Sequence, residues 1–176
     1  LIIVDDQTLH RIKNDTGQYQ LIHINAILKL KTQQKLSAES FNSTSKQDIA
    51  YTLFTSGSSG KPKGVRVTYQ NLFNFFRSMA FKPGLTAVDS LLAMTPVSFD
   101  ISIAELLLPL FCGASLYIVS EKLRKNAAEL AKIIETQFIT VIQATPSSYL
   151  LLKNHQWFSK KRLILWIGGE PLPFSL

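Results

Sequence analysis

Short apolar runs separated by polar breaks dominate the chain, and many of them have the composition of buried strands. The runs at residues 49–54, 90–94, 115–119, 140–144 and 163–167 are β-prone, and the later ones are almost continuously apolar. Such strands are typical of a sheet that is covered on both faces. The pattern therefore predicts a buried sheet.

Segments with helical spacing separate these runs. Thr68 is suited to cap a helix that runs from Tyr69 towards Met79, with an apolar face formed by Leu72, Phe75, Phe76 and Met79. Further helices are predicted at residues 101–111, 126–137 and 147–153, and the first of these is apolar nearly all round. Strands that alternate with helices predict an α/β fold, a mainly parallel sheet with flanking helices.

The first 47 residues follow this pattern less clearly. Residues 1–4 (LIIV) and 19–28 (YQLIHINAIL) each have room for a strand, whereas residues 31–47 are polar and without a period. A polar stretch of this kind is typical of an exposed connection.

Composition narrows the functional classes. Hydrophobic residues make up 46% of the 176 residues, as in a globular domain, and the net charge of +7 is spread along the chain rather than interleaved with aromatics. We therefore expect no nucleic-acid binding.

The sequence shows no signal-like start and no apolar run of membrane length, so we expect a cytoplasmic protein without a membrane partner. The single Cys112 excludes an internal disulfide and is expected to be a small buried hydrophobe.

Residues 55–64, TSGSSGKPKG, are the strongest candidate for chemistry. Glycine permits positive φ and brings no Cβ, so backbone N–H groups can converge on an anion while Ser and Thr hydroxyls add donors. Lys61 and Lys63 supply point charges that suit phosphate, although Pro62 excludes the P-loop pattern GxxxxGK[ST]. A flexible Gly/Ser linker is the alternative, and composition alone leaves both open.

Asp100, in the segment SFDIS, directly precedes the apolar helix predicted at residues 101–111. One interpretation makes it the N-cap of that helix, because Asp favours this position. The other gives the cap to Ser102, with Glu105 completing a capping box, and leaves Asp100 free to bind a cation.

Four segments together resemble one family. DIAYTLFTSGSSGKPKGVRVTYQNL (48–72) is similar to the phosphate-loop signature of the AMP-forming adenylating superfamily, which includes acyl-CoA synthetases, luciferases and the adenylation domains of nonribosomal peptide synthetases. SFDISIAELLLPLFCGASL (98–116) resembles the peptide-synthetase segment with a Phe-Asp pair followed by a Ser and a Glu. ITVIQATPSSYLLL (139–152) and LILWIGGEPLP (163–173) keep that subfamily's order and spacing. The resemblance implies that residues 48–176 are a core fragment of the N-terminal domain of an adenylate-forming enzyme, while residues 1–47 match loosely.

The resemblance also implies which residues bind ATP and substrate. The loop would hold the β- and γ-phosphates of ATP through Thr55, Ser56, Gly57, Ser58, Ser59, Gly60 and Lys63. Asp100 would pair with the α-ammonium of an amino acid, in a pocket lined by Ile101, Ala104, either Ile142 or Gln143, Trp166 and Gly168. The turn beside the adenine and the aminoacyl group would contain Gly168, Gly169 and Glu170. Ser59 replaces a usual Thr and keeps its hydroxyl, whereas Tyr69 stands where a His is common. Core packing is the alternative role for Ile101, Ala104, Ile142 and Trp166.

The implied reaction activates an amino acid with ATP and Mg²⁺, giving aminoacyl-AMP and pyrophosphate. The acyl group then passes to the phosphopantetheine thiol of a peptidyl carrier domain. The family's later motifs, among them a Tyr-Gly-Pro-Thr-Glu run, a ribose-binding Asp and a C-terminal Lys, are not found in the sequence. We therefore expect this internal fragment of the large domain to be inactive alone, with no complete catalytic set.

Three other functions fit parts of the pattern. A carboxylic acid:CoA ligase shares the loop but has no need of Asp100, because its substrate lacks an amine. A D-alanine:carrier ligase has a similar Phe-Asp segment. A non-enzymatic remnant or binding module would keep the fold without the reaction.

Overall fold

The computed structural model describes residues 2–4, 6, 9, 21–29, 44–56, 60–157, 159, 161–174 and 176. The chain divides into two compact units, Leu1–Thr44 and Ser45–Leu176.

In the first unit, strand β1 (Ile2–Val4) pairs in parallel with β2 (Leu21–His23), and helix α1 (Ile24–Lys29) follows at once. The strand predicted at residues 1–4 is confirmed. The stretch 19–28 holds a strand of three residues only and then turns helical, where Ala, Leu and Lys favour a helix. Most of the exposed connection predicted at residues 31–47 lies outside the described residues.

The second unit opens with an antiparallel hairpin. Strands β3 (Ile49–Ser56) and β4 (Pro62–Thr68) pair with Leu53 opposite Val65 and with Thr55 opposite Lys63. The sequence predicted extended structure on both sides of the loop, and the hairpin confirms it.

Helix α2 (Tyr69–Met79) begins where it was predicted, because Thr68 caps it. The Asn71 N–H donates to the Thr68 hydroxyl at 3.3 Å, and the Thr68 N–H donates to the Asn71 side-chain oxygen at 3.4 Å. This reciprocal capping satisfies two donors at the start of the helix.

The apolar face of α2 packs against the rest of the unit as predicted, with one exception. Phe76 is buried in the core, and Leu72 and Met79 pack against the same cluster, whereas Phe75 is 40% exposed. A π-type turn at Ala80–Gly84 follows the helix and was not predicted.

A parallel four-stranded sheet forms the centre of the second unit, with strand order β6-β5-β7-β8. Its strands are β5 (Ser90–Ala93), β6 (Ser115–Ile118), β7 (Val141–Ala144) and β8 (Ile164–Ile167). The helices between them are α3 (Ile101–Cys112), α4 (Glu121–Arg124), α5 (Ala127–Thr136) and α6 (Pro146–Asn154). The predicted α/β class with a mainly parallel sheet is confirmed, whereas the short α4 was not predicted.

Helices cover the sheet on both faces, because successive strand residues point to opposite sides. Leu91 belongs to a cluster with Phe76 of α2 and Leu108 of α3, whereas its neighbour Leu92 belongs to a second cluster with Leu130 of α5. Leu91, Leu92 and Leu108 are 0% exposed. Burial on both faces explains why the central strands β5 and β7 are mostly apolar, whereas the edge strands β6 and β8 are partly exposed.

Cys112 is half-buried and packs against the cluster on the α2 and α3 side. Among the described residues, none of the helices is both long and apolar enough to cross a bilayer.

Candidate functional site

A pocket of about 1100 Å³ lies at the carboxyl ends of the parallel strands. Thr95, Thr145 and Gly168, which follow β5, β7 and β8, contribute to its walls, together with Ile101 and Ala104 from the start of α3. Ligands of open parallel sheets bind at this edge, outside the carboxyl ends of the strands. The pocket is therefore the candidate ligand site.

Most residues predicted to contact the substrate or the adenylate line this pocket, namely Ile101, Ala104, Gln143, Trp166, Gly168, Gly169 and Glu170. Ile142, the alternative to Gln143, is 1% exposed and packs in the cluster on the α5 and α6 side. Because successive strand residues point to opposite faces, the structure places Gln143 and not Ile142 at the pocket.

Asp100 is the N-cap of α3 and directly precedes the pocket-lining Ile101, but it is not itself among the residues that line the pocket. Its Oδ1 accepts a hydrogen bond from the Ile101 N–H at 2.8 Å. Within the part of the chain that the structure describes, this is the side-chain hydrogen bond that Asp100 makes, and the residue is exposed. The second carboxylate oxygen therefore has room to bind another donor.

The interpretation in which Asp100 is the N-cap of the helix is confirmed, and the alternative in which Ser102 caps it is wrong. The helix already begins at Ile101, because the turn before it lets the Ser102 N–H donate to the Phe99 carbonyl at 3.1 Å. The Ser102 hydroxyl donates to the same carbonyl at 2.6 Å, and Glu105 binds backbone outside the helix. The predicted capping box between Ser102 and Glu105 therefore does not form.

Asp100 acts electrostatically on Tyr51 of strand β3 in the hairpin. Burial raises the pKa of the Tyr51 phenol, and the negative charge of Asp100 raises it further. Both effects keep the phenol protonated.

Glu105 lies next to the pocket and was predicted from the sequence only as part of a capping box. Its side chain is 0% exposed and binds the backbone of Met94 and Thr95, which both line the pocket. Burial raises the pKa of Glu105, while hydrogen bonds from Thr95 and Met94 act in the opposite direction. The signal in the sequence was a lone acid in an otherwise apolar helix, since a buried carboxylate requires fixed donors.

Polar contacts tie β7, β8 and α3 together below the pocket. The Gln143 side-chain amide donates to the Ile101 carbonyl at 3.4 Å. The Tyr149 hydroxyl donates to the Ile142 carbonyl at 2.7 Å and lies 3.2 Å from the Trp166 carbonyl. Burial raises the pKa of Tyr149, and the charge of Glu105 adds to this. The phenol therefore stays protonated and keeps its donor.

The turn after β8 closes one side of the pocket. Gly169 has φ +83°, a conformation that favours glycine, and an added Cβ would lie 3.4 Å from the Ile101 side chain. Glu170 accepts hydrogen bonds from the Ser147 hydroxyl at 2.6 Å and the Ser147 N–H at 3.1 Å, and these lower the pKa of its carboxyl. Glu170 therefore fixes the turn against the start of α6.

The predicted phosphate loop connects β3 to β4. Gly57, Ser58 and Ser59 lie outside the described residues. Gly60 has φ +78°, which favours glycine, and the Thr55 hydroxyl donates to the Lys63 carbonyl at 3.4 Å. The structure thus places the loop at the end of the hairpin.

Residues 1–176 match the model of one protein family, which is described as "AMP-binding enzyme". A dimodular nonribosomal peptide synthase of Bacillus subtilis is 42% identical over 127 residues, which are 72% of this chain and 5% of that protein. Tyrocidine synthase 3 of Brevibacillus parabrevis is 35% identical over 137 residues, or 77% of this chain and 2% of that protein. The chain therefore spans a small part of the length of these relatives.

Solved structures agree with this relationship. A four-domain nonribosomal peptide synthetase bound to AMP and glycine matches 98% of this chain and 12% of its own, with a TM-score of 0.77 and 29% identity. The N-terminal domain of FACL13 from Mycobacterium tuberculosis shares the fold, with a TM-score of 0.83 at 17% identity over 99% of this chain and 46% of its own. The chain therefore belongs to the AMP-binding enzyme family of ATP-dependent, AMP-forming ligases, and its relatives are the adenylation domains of nonribosomal peptide synthetases.

Proposed function

We propose that the pocket binds an amino acid and that the β3–β4 loop binds the phosphates of ATP, in a reaction that forms aminoacyl-AMP and pyrophosphate. The observation that carries the proposal is the convergence of Ile101, Gln143 and Trp166, from three separate segments, at one sheet edge. Asp100 directly precedes Ile101 in the chain. The synthetase structure that is 29% identical holds AMP and glycine, which supports the same class of ligand.

Asp100 is the residue proposed to select an amine. Its Oδ1 is fixed by the Ile101 N–H, so the carboxylate has a defined orientation while its other oxygen can accept from an ammonium. A charge-assisted hydrogen bond of this kind is about twice as strong as a neutral one. A substrate without an α-amine would leave Asp100 without this partner.

The pocket lining supports selection of the substrate side chain. Ile101, Ala104 and Trp166 provide apolar walls, and Gln143 is a polar group that is 9% exposed. Pockets with apolar walls and a few fixed polar groups bind small molecules with a defined orientation. We propose that these four residues contact the amino-acid side chain.

For ATP, the proposed contacts remain Thr55, Ser56, Gly57, Ser58, Ser59, Gly60 and Lys63. Backbone N–H groups, hydroxyls and the exposed Lys63 ammonium would stabilise the charge of the leaving pyrophosphate. We propose that Gly168, Gly169 and Glu170 lie beside the adenine and the aminoacyl group.

Mg²⁺ and phosphopantetheine complete the proposal. The described residues include no group of three His, Cys, Asp or Glu side chains placed to hold a metal ion. Mg²⁺ usually keeps several waters and binds through substrate phosphates, so we propose that it enters with ATP. The acyl group would then pass to the phosphopantetheine thiol of a carrier domain.

Amino-acid-dependent exchange of pyrophosphate into ATP by the complete protein tests this proposal. We expect at least one amino acid to support exchange, and the matched acid without the α-amine to fail. Asp100→Ala should lower kcat/KM on the order of 10²-fold, because it removes one partner of a charge pair. Glu129→Gln, which changes an acid on α5 outside the pocket lining, is the control.

Three results would favour a different function. Equal use of acids without an amine would favour the carboxylic acid:CoA ligase. Exclusive use of D-alanine would favour the carrier ligase of that substrate. Absence of exchange with any acid would favour the non-enzymatic remnant.

A further inference from the structure

Glu105 is an unusual residue at its position. It lies in the middle of α3, whose sequence ISIAELLLPLFC is otherwise almost entirely apolar, and its side chain is 0% exposed. Among the described residues it forms no ion pair with Lys, Arg or His. Burying a carboxylate without a cation is costly unless fixed donors bind it.

The donors that bind Glu105 come from two consecutive residues. Its Oε2 accepts from the Met94 N–H at 2.7 Å and from the Thr95 N–H at 2.8 Å, and its Oε1 accepts from the Thr95 hydroxyl. Strand β5 ends at Ala93, so these two N–H groups lie just beyond its ladder with β6 and β7. The carboxylate therefore replaces the missing strand partner where the chain leaves the sheet.

This position matters because the same chain segment forms a wall of the pocket. Met94, Thr95, Pro96 and Phe99 all line it, and Asp100 follows directly. Glu105 thus connects α3 to the start of the segment whose end is Asp100. Both ends of the segment that connects β5 to α3 are fixed by the same helix.

We propose that Glu105 is a positioning residue of the amino-acid pocket, which holds Met94 and Thr95 in place and thereby sets the position of Asp100. This inference rests on the proposed function. Glu105 itself touches no substrate, and its role depends on accepting hydrogen bonds rather than on its charge.

The test compares Glu105→Leu and Glu105→Gln in the complete protein, with Glu129→Gln as a control. Glu129 is an acid on α5, outside the pocket lining and outside the segment that connects β5 to α3. Leu removes both acceptors, so we expect the KM for the amino acid to rise about tenfold or more while the KM for ATP stays within about threefold. Gln keeps an oxygen for the two N–H groups and an amide for the Thr95 hydroxyl, so its KM values should stay within about threefold of the wild type.

Hydrogen exchange at the Met94 and Thr95 amides provides a readout that does not depend on activity. It should be faster in Glu105→Leu than in Glu105→Gln. If the wild-type protein activates no amino acid, the proposed function fails, while this exchange still shows whether Glu105 holds the segment.

Two results would overturn the inference. One is a folded Glu105→Leu protein with unchanged amino-acid KM and unchanged exchange at Met94 and Thr95. The other applies if Glu105→Leu does not fold. In that case Thr95→Val, which keeps the carboxylate and both backbone bonds, should still raise the amino-acid KM about fivefold, and a KM within about threefold of the wild type would contradict the role.

Discussion

A carboxylate binds at each end of strand β5, and the two carboxylates hold different parts of the chain. At the amino end, Asp89 accepts from the Thr86 N–H at 2.9 Å, the Thr86 hydroxyl at 2.7 Å and the Thr140 hydroxyl at 2.9 Å. At the carboxyl end, Glu105 accepts from the backbone of Met94 and Thr95. The first arrangement fastens a loop outside the pocket lining, and the second fixes a pocket wall.

Asp89 and Glu105 each accept three hydrogen bonds, but their pKa values shift in opposite directions. Partial burial raises the pKa of Asp89, but the hydrogen bonds from Thr86 and Thr140 outweigh it, so the pKa is lowered. For Glu105, full burial outweighs the bonds from Thr95 and Met94, so the pKa is raised. The carboxylate at the amino end thus stabilises the fold at little cost, whereas a costly buried acid is kept where the pocket is formed. Perturbed groups of this kind cluster at functional sites.

The largest effect is expected from the middle of β5, on which both ends depend. Leu92 is 0% exposed, and Leu92→Ala should lower the free energy of unfolding by about 2–5 kcal/mol. Val88→Ala is the matched control, because Val88 is 89% exposed just outside the strand and should change it by about 0.5 kcal/mol or less. Denaturant unfolding measures both. Equal losses would show that β5 is not the common support.

Removing one threonine hydroxyl at each end of β5 should have a different effect at each end. The Thr140 hydroxyl accepts from the Ser90 N–H at 3.0 Å and donates to Asp89, so Thr140→Val should lower stability by about 1–2 kcal/mol with no change in the amino-acid KM. Thr95→Val at the carboxyl end should instead raise that KM. Melting curves and exchange kinetics on both variants check this. A KM change in Thr140→Val as large as that in Thr95→Val would erase the distinction between the ends.

The smallest effect is the pH dependence of stability. Because the pKa of Asp89 is lowered from 3.8, its contribution is present above that value and is lost as pH falls through the lowered pKa. The pKa of Glu105 is raised from 4.5, so its contribution is present below that value and is lost as pH rises through the raised pKa. Asp89→Asn should reduce the loss of Tm in acid, and Glu105→Gln should reduce the loss as pH rises. Tm values measured from about pH 3 to pH 7 test the two opposite signs, and slopes of the same sign would contradict the comparison.

Local patterns in the sequence predicted the strands and helices well, because each signal acts within a few residues. The Thr68 cap fixed the start of α2, and the apolar runs located β5 to β8 within one residue at either end. The hairpin arrangement of β3 and β4 is consistent with the extended segments on either side of the loop. The turn at Ala80–Gly84 had no comparable apolar signal.

The site was predicted less completely, because its contacts join distant segments. Spacing alone left Ile142 and Gln143 open, and the faces of β7 place Gln143 in the pocket lining and Ile142 in the core. The local sequence pattern predicted a capping box between Ser102 and Glu105. A local pattern cannot show that Met94 and Thr95 lie near Glu105 as hydrogen-bond donors. A buried acid takes its partner from the tertiary structure.

The central claim is that Asp100 pairs with the α-ammonium of the substrate. Calorimetric binding of a non-hydrolysable aminoacyl-adenylate analogue, and of the same analogue without its amine, to the wild type and Asp100→Asn tests it directly. We expect a coupling energy of about 2 kcal/mol or more between the amine and the carboxylate. Additive losses, with a coupling below about 0.5 kcal/mol, would contradict the claim.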